Sequence, residues 1–150
     1  MDNILKLAEE YIAAAYGSTS NPSYSFVARI SEGQPYKEII TRFRTYFRIK
    51  DITDTNYDVS FSYIIEGQYE YLLQISMIAK FYVLFKLVTS KKIMQYVAEA
   101  SNSDEERILL FLEQNGLTKI DQVTSESITD LIDMESGCKL TVYQALFTNS

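Results

Sequence analysis

The chain has no histidine, no tryptophan and one cysteine, Cys138, in 150 residues. Without His there is no Ser-His-Asp or Cys-His pair, no imidazole base and no imidazole metal ligand. A lone Cys forms no intrachain disulfide, which fits a reducing compartment, and a Cys/His zinc site is impossible. Cys138 reads as a small filler without a redox role. Glycine is scarce, at five residues. Neither GxGxxG nor GxxxxGK[ST] occurs, so a phosphate cradle is not expected. No run approaches the roughly 18–20 apolar residues of a membrane span. Lys6, Glu9 and Glu10 break the first apolar stretch and spoil a secretory leader. The expectation is a cytoplasmic protein without a membrane, cofactor or metal requirement.

What is present is a core-forming composition, 47% hydrophobic, too high for a disordered chain. Twelve Tyr and eight Phe supply large side chains, and Tyr suits half-exposed sheet and contact surfaces. The net charge of −6 is uneven. Residues 1–50 carry seven basic and five acidic groups, residues 51–100 four and six, and residues 101–150 three and nine. Acidity therefore concentrates in the C-terminal third. It repels nucleic acid and membranes and can steer the chain onto a basic protein, while the same charge can serve solubility alone. There is no internal repeat, low-complexity tract or linker, and the length suits one domain spanning 1–150.

Periodicity points to an α+β fold. Ile4, Leu7, Ala8, Tyr11 and Ala15 share a helical face over 3–16, with Asp2 as N-cap and Gly17 as stop. Residues 18–23 are a loop, and 24–30 fit a short strand or a helical turn. Residues 36–50 fit both periods, with Pro35, Glu38 and the terminal basic residues favouring a helix. Three alternating runs then span 56–88: Tyr57 to Ile65, Tyr69 to Met77, and Phe81 to Leu87. Turns at Glu66-Gly67 and Ala79-Lys80 join them into an antiparallel meander of at least three strands, packed by helices on one face. Asp58, Ser60, Ser62, Gln74 and Ser76 fall on the alternate, polar face. Val59, Phe61, Leu73, Ile75, Val83 and Phe85 are expected in the core.

Beyond the meander, Ser90 caps an expected helix with Ile93, Met94, Val97 and Ala100 on one side. Ser103 and Glu106 have capping-box spacing and open a helix ending at Asn115-Gly116. Thr124 or Ser125 caps an expected short helix through Ile128, Leu131 and Ile132. Thr141 and Gln144 again have capping-box spacing, and Val142, Ala145, Leu146 and Phe147 could anchor a last helical turn on the core.

Carboxylates are the remaining chemical candidates. Asp51, Asp54 and Asp58 cluster, but lack the calcium-loop spacing, its central Gly and its closing Glu, and read as turn-makers. The basic run Arg42, Arg44, Arg48 and Lys50, interleaved with Phe43, Tyr46 and Phe47, resembles an RNA-binding strand only superficially. It lacks the Gly-rich pattern and reads as a solvated face.

Three segments carry a resemblance: residues 56–63 (NYDVSFSY), 74–82 (QISMIAKFY) and 141–147 (TVYQALF). Together they resemble a group of small bacterial proteins associated with immunity to secreted or contact-delivered toxins. The resemblance implies a cytoplasmic non-enzyme that blocks a cognate toxin by binding it, with no catalytic residue to carry over, and the acidity of this chain leads us to expect a basic toxin. Asp58, Glu66, Glu70, Asp104, Glu105 and Glu113 are the candidate partner-binding residues. The alternative is a small-ligand-binding protein with an aromatic pocket inside a curved sheet.

Overall fold

A computed structural model describes residues 3–88 and 93–148. The expected Asp2 and Ser90 caps lie outside them. Three helices come first: α1 (Asn3–Tyr16), α2 (Phe26–Gly33) and α3 (Lys37–Phe43). Strand β1 (Arg48–Asp51) leads into the meander of β2 (Ser60–Glu66), β3 (Glu70–Ser76) and β4 (Phe81–Val88). Then come β5 (Ile93–Tyr96), α4 (Ser103–Gln114), β6 (Thr118–Lys119) and α5 (Gln122–Glu126). Strands β7 (Ile128–Ile132) and β8 (Lys139–Thr141) form a small ribbon before α6 (Val142–Phe147).

The α+β meander expected from the alternation is what the structure shows. The main sheet runs β1-β2-β3-β4-β5, all neighbours antiparallel, and β6 adds in parallel to the lower part of β4. Residues 36–50 resolve their ambiguity by splitting. The half with Glu38 in its first turn is helical, and the charged, alternating half pairs with β2. Residues 26–33 settle as a helix.

Two expected helices are strands. Ile93–Tyr96 pairs with β4, and Ile128–Ile132 pairs with β8. Short runs that mix β-branched and polar residues fit both periods, and the partner strand decides between them. The helix before β7 is capped by Asp121, whose carboxylate accepts from the Thr124 N–H at 2.8 Å. The α4 cap also shifts by one residue from Ser103, to Asn102. The Thr141–Gln144 capping box forms as expected.

Register defines the two faces. On the first, Phe61, Ile75 and Tyr82 form one cross-strand row, and Tyr63, Leu73 and Leu84 the next. α3 and α4 cover it. Tyr36, at the start of α3, meets Phe61 edge-on, and the Tyr71 hydroxyl donates to Glu105 of α4. Phe43 stacks on Phe111 between those helices. On β4 the expected inward set has the other parity. Phe81, Val83 and Phe85 share the second face with Ser60, Ser62 and Gln74. They are buried all the same, because α1 and α6 cover the lower half of that face. Tyr11 of α1 meets Phe81 edge-on, and Tyr143 of α6 meets Phe85.

This explains the serines. Ser60, Ser62 and Ser76 sit under α6 rather than in water. Their small size lets the helix approach, and Ser60 Oγ donates to the Phe147 carbonyl at 2.7 Å. Gln74 accepts from the Tyr143 hydroxyl at 2.7 Å. Helix α6 is thus bonded to β2 and β3, and the buried residues of both faces join one hydrophobic cluster.

Candidate functional site

α6 is short, and the second face is longer than the helix that covers it. Above the Phe85–Tyr143 contact, two cross-strand rows follow from the register. One is Lys50, Ile64, Leu72, Phe85 and Tyr96; the other is Arg48, Glu66, Glu70, Leu87 and Met94. Ile64, Leu72, Leu87 and Tyr96 are only half-buried, and Met94 is 51% exposed. Phe85 and Tyr96 pack at 4.6 Å between centroids and form the floor. The result is an open apolar strip across four strands. It is basic toward β1, acidic in the middle and apolar toward β5.

Two of the six candidate acids stand on this strip. Glu66 and Glu70 are directly opposed across the β2–β3 hairpin and exposed. Opposed like charges destabilise a hairpin slightly, and Arg48 relieves this at 3.7 Å from Glu66. That exposed pair is worth little in itself. Asp104 joins them at the hairpin tip from the other face. Its Oδ2 accepts from the Gln68 N–H at 2.7 Å, and a Cβ at Gly67 would stand 2.6 Å from that oxygen. A side chain at Gly67 would therefore push the Asp104 carboxylate away from the Gln68 N–H. Beside it, Tyr69 is 41% exposed, with Lys86 Nζ 3.6 Å from its ring centroid.

The other three acids are elsewhere. Asp58 lies at the opposite end of β2, bridged to Thr148. Burial raises its pKa, partly offset by the Thr148 hydrogen bond. Glu113 lies nine residues along α4 from Asp104, about 13 Å at the helical rise. It is exposed, and after burial its charge is the second cause pushing Tyr82 up to about 12. Glu105 is buried in the fold. Its carboxylate accepts from Tyr71 Oη and Asn102 Nδ2, both at 2.7 Å, and from the Ser101 N–H at 2.9 Å. Burial alone would raise its pKa, but these hydrogen bonds together hold it below the usual carboxylate range. Its place is structural: it ties the start of α4 to β3.

The apolar members of the strip were not among the sequence candidates. A signal for them existed. Ile64 and Leu72 are apolar residues at positions where the alternation otherwise sets Ser60, Ser62, Glu70 and Gln74. Tyr96 and Met94 had no such signal, because their run read as a helix.

Asp51 and Asp54 accept from the N–H groups of Thr53 and Asn56, which makes them turn-makers. Among the described residues no group of three His, Cys, Asp or Glu is placed to hold a metal ion. No described helix is long and apolar enough to cross a membrane. Clefts open at the periphery. One of about 470 Å³ lies at the start of β1, and one of about 240 Å³ lies between α1, α2 and the β3–β4 turn. Between the sheet and α3, the side chains of Phe61, Leu73, Ile75 and Leu84 are at most 2% exposed, so that space is filled. No protein-family model, characterised protein or solved structure matches this chain.

Proposed function

We propose that the protein is a non-enzymatic binding protein that occludes a more basic protein partner, as immunity proteins do with their toxins. The observation that carries this reading is the open upper half of the second sheet face. Ile64, Leu72, Leu87, Met94 and Tyr96 form a contiguous apolar strip there, and Glu66 and Glu70 stand beside it. An apolar centre with a charged rim is the anatomy of a protein–protein interface. The strip lies on paired strands rather than loops, so little ordering entropy is lost on binding. Met94 and Tyr96 supply flexible and rigid contact area respectively.

The reading is tested by capture on the immobilised protein with two variants, Leu72→Glu and the double change Glu66→Lys, Glu70→Lys. Glu66 and Glu70 are exposed and Leu72 is half-buried at the margin of the core, so circular dichroism should show both variants folded while the partner is lost. A partner retained by both folded variants would rule the strip out. A metabolite carried through native mass spectrometry, with no protein captured, would favour the small-ligand alternative.

A further inference from the structure

The outer edge of β1 is a second surface, of opposite sign, that adjoins the basic end of the open strip. Ile52 N–H donates to the Ser62 carbonyl at 2.9 Å, so Ile52 points its peptide groups at β2. Direction alternates along an antiparallel strand. Lys50 and Arg48 therefore also face β2, and the N–H and C=O groups of Ile49 and Asp51 face outward. Among the described residues β1 has one strand neighbour, so these groups lie on a free sheet edge. The strand is held firmly in place, because the Ile49 side chain is buried opposite Ile65.

The surroundings of that edge are basic. Arg48 and Lys50 are exposed on the strand, and exposed Arg44 and Tyr46 line the adjacent cleft of about 470 Å³. Two acids lie close: Glu66, taken up by Arg48, and Asp51, whose carboxylate accepts from the Thr53 N–H. Arg42 nearby donates to Asn115 at 2.7 Å and stays fixed on α4. A second copy of β1 is a poor occupant. The antiparallel registers that use the outward groups set Lys50 against Lys50, Arg48 against Lys50, or Asp51 against Asp51. Like charges directly opposed disfavour such pairing.

We propose that the β1 edge accepts an extended acidic polypeptide segment as an added antiparallel strand. Main-chain bonds to Ile49 and Asp51 would set the register, and Arg44, Arg48 and Lys50 would select acidic side chains. Strand addition of this kind takes its affinity from the backbone and its specificity from alternate side chains. The outward N–H and C=O groups favour a peptide over a nucleic acid, which has no backbone ladder to offer.

The test uses the full chain and a synthetic nonapeptide alternating Val and Glu, titrated at low salt and followed by amide shifts in ¹⁵N NMR. The largest shifts are expected at Ile49 and Asp51. A Val/Lys peptide should not bind. Measured against Asp51→Ala, which removes the same carboxylate, Asp51→Pro deletes one outward N–H while sparing the bonds to β2, and should weaken binding about 3–10-fold, the worth of one hydrogen bond. Arg44→Glu with Lys50→Glu alters only exposed side chains and should abolish binding, so the test survives if the proline variant fails to fold. The proposal fails if the Val/Glu peptide does not bind, or if the Val/Lys peptide binds equally well. It fails likewise if the charge reversal leaves affinity unchanged, or if a uridine octamer shifts the same amides in place of the peptide.

Discussion

Glu105 shows how a single side chain can carry both a charge and a fold. The residue is 2% exposed, and its carboxylate has Tyr71, Asn102 and Ser101 as hydrogen-bond partners. Leaving such partners unsatisfied is more costly than the bonds are favourable. Its pKa is lowered in the folded state. A depressed carboxyl contributes stability above its unfolded pKa of about 4.3 and loses it as pH falls through the lower folded value. Urea unfolding between neutral and strongly acid pH should therefore show stability falling between about pH 4.3 and that lower folded value. Glu105→Gln should be less stable at pH 7 and show a flatter acid limb. An unchanged acid limb would mean that Glu105 is not the group responsible. At the same scale, Phe61 is 2% exposed against Tyr36. Phe61→Ala should cost about 3–5 kcal/mol, seen as a lower urea midpoint. An unchanged midpoint would put Phe61 outside the core.

At the scale of elements, α4 buries Ile108 and Leu112 in the core, and its first turn hydrogen-bonds to the meander. Asn102 Oδ1 accepts from the Glu105 N–H at 2.9 Å and caps the helix. Its Nδ2 donates to Glu105 Oε2 at 2.7 Å and to Tyr71 Oη at 3.3 Å. A lost cap costs about 0.5–2 kcal/mol. Asn102→Ala should fall at the upper end, because it also strips a donor from a buried carboxylate. Chemical denaturation of Asn102→Ala beside Ser103→Ala checks this. Equal losses would return the cap to Ser103, where the spacing Ser103–Glu106 placed it. The same first turn carries Asp104 to Gly67, so the acidic hairpin tip and the α4 cap form one rigid corner.

At the scale of the whole molecule, charge and apolar area divide the work of association. The net charge is −6, and its acidic excess lies beyond residue 100. Such a field accelerates encounter with a basic partner, and it shortens as the Debye length falls from ~30 Å at 0.01 M to ~8 Å at 0.15 M salt. The association rate with the proposed partner should fall steeply over that range. Neutralising Glu66, Glu70 and Asp104 together should slow association more than it speeds dissociation, while Leu72→Glu should do the reverse. Stopped-flow mixing separates the two. A salt-independent association rate would remove steering from the account. Glu105 does not belong in such a charge series, since neutralising it perturbs the fold itself.

Much of this molecule was legible along the chain. Helix α1 with its stop at Gly17, the three meander strands and the capping box at Thr141 rest on local periodicity and local hydrogen bonds. Those are properties of consecutive residues. Other features depend on partners far away in sequence. Ile93–Tyr96 and Ile128–Ile132 became strands because β4 and β8 lay ready to pair with them. Ser60, Ser62 and Gln74 became buried because α6, some seventy residues or more downstream, folds back over them. β4 presents Phe81, Val83 and Phe85 to the second face because the hairpin register, not hydrophobicity alone, sets which way a strand turns. The candidate acids followed the same division. Their existence and their one-sided charge were sequence properties. Only the tertiary structure, by fixing register and the short reach of α6, gathered Glu66, Glu70 and Asp104 at one corner, buried Glu105, and left an apolar strip open beside them.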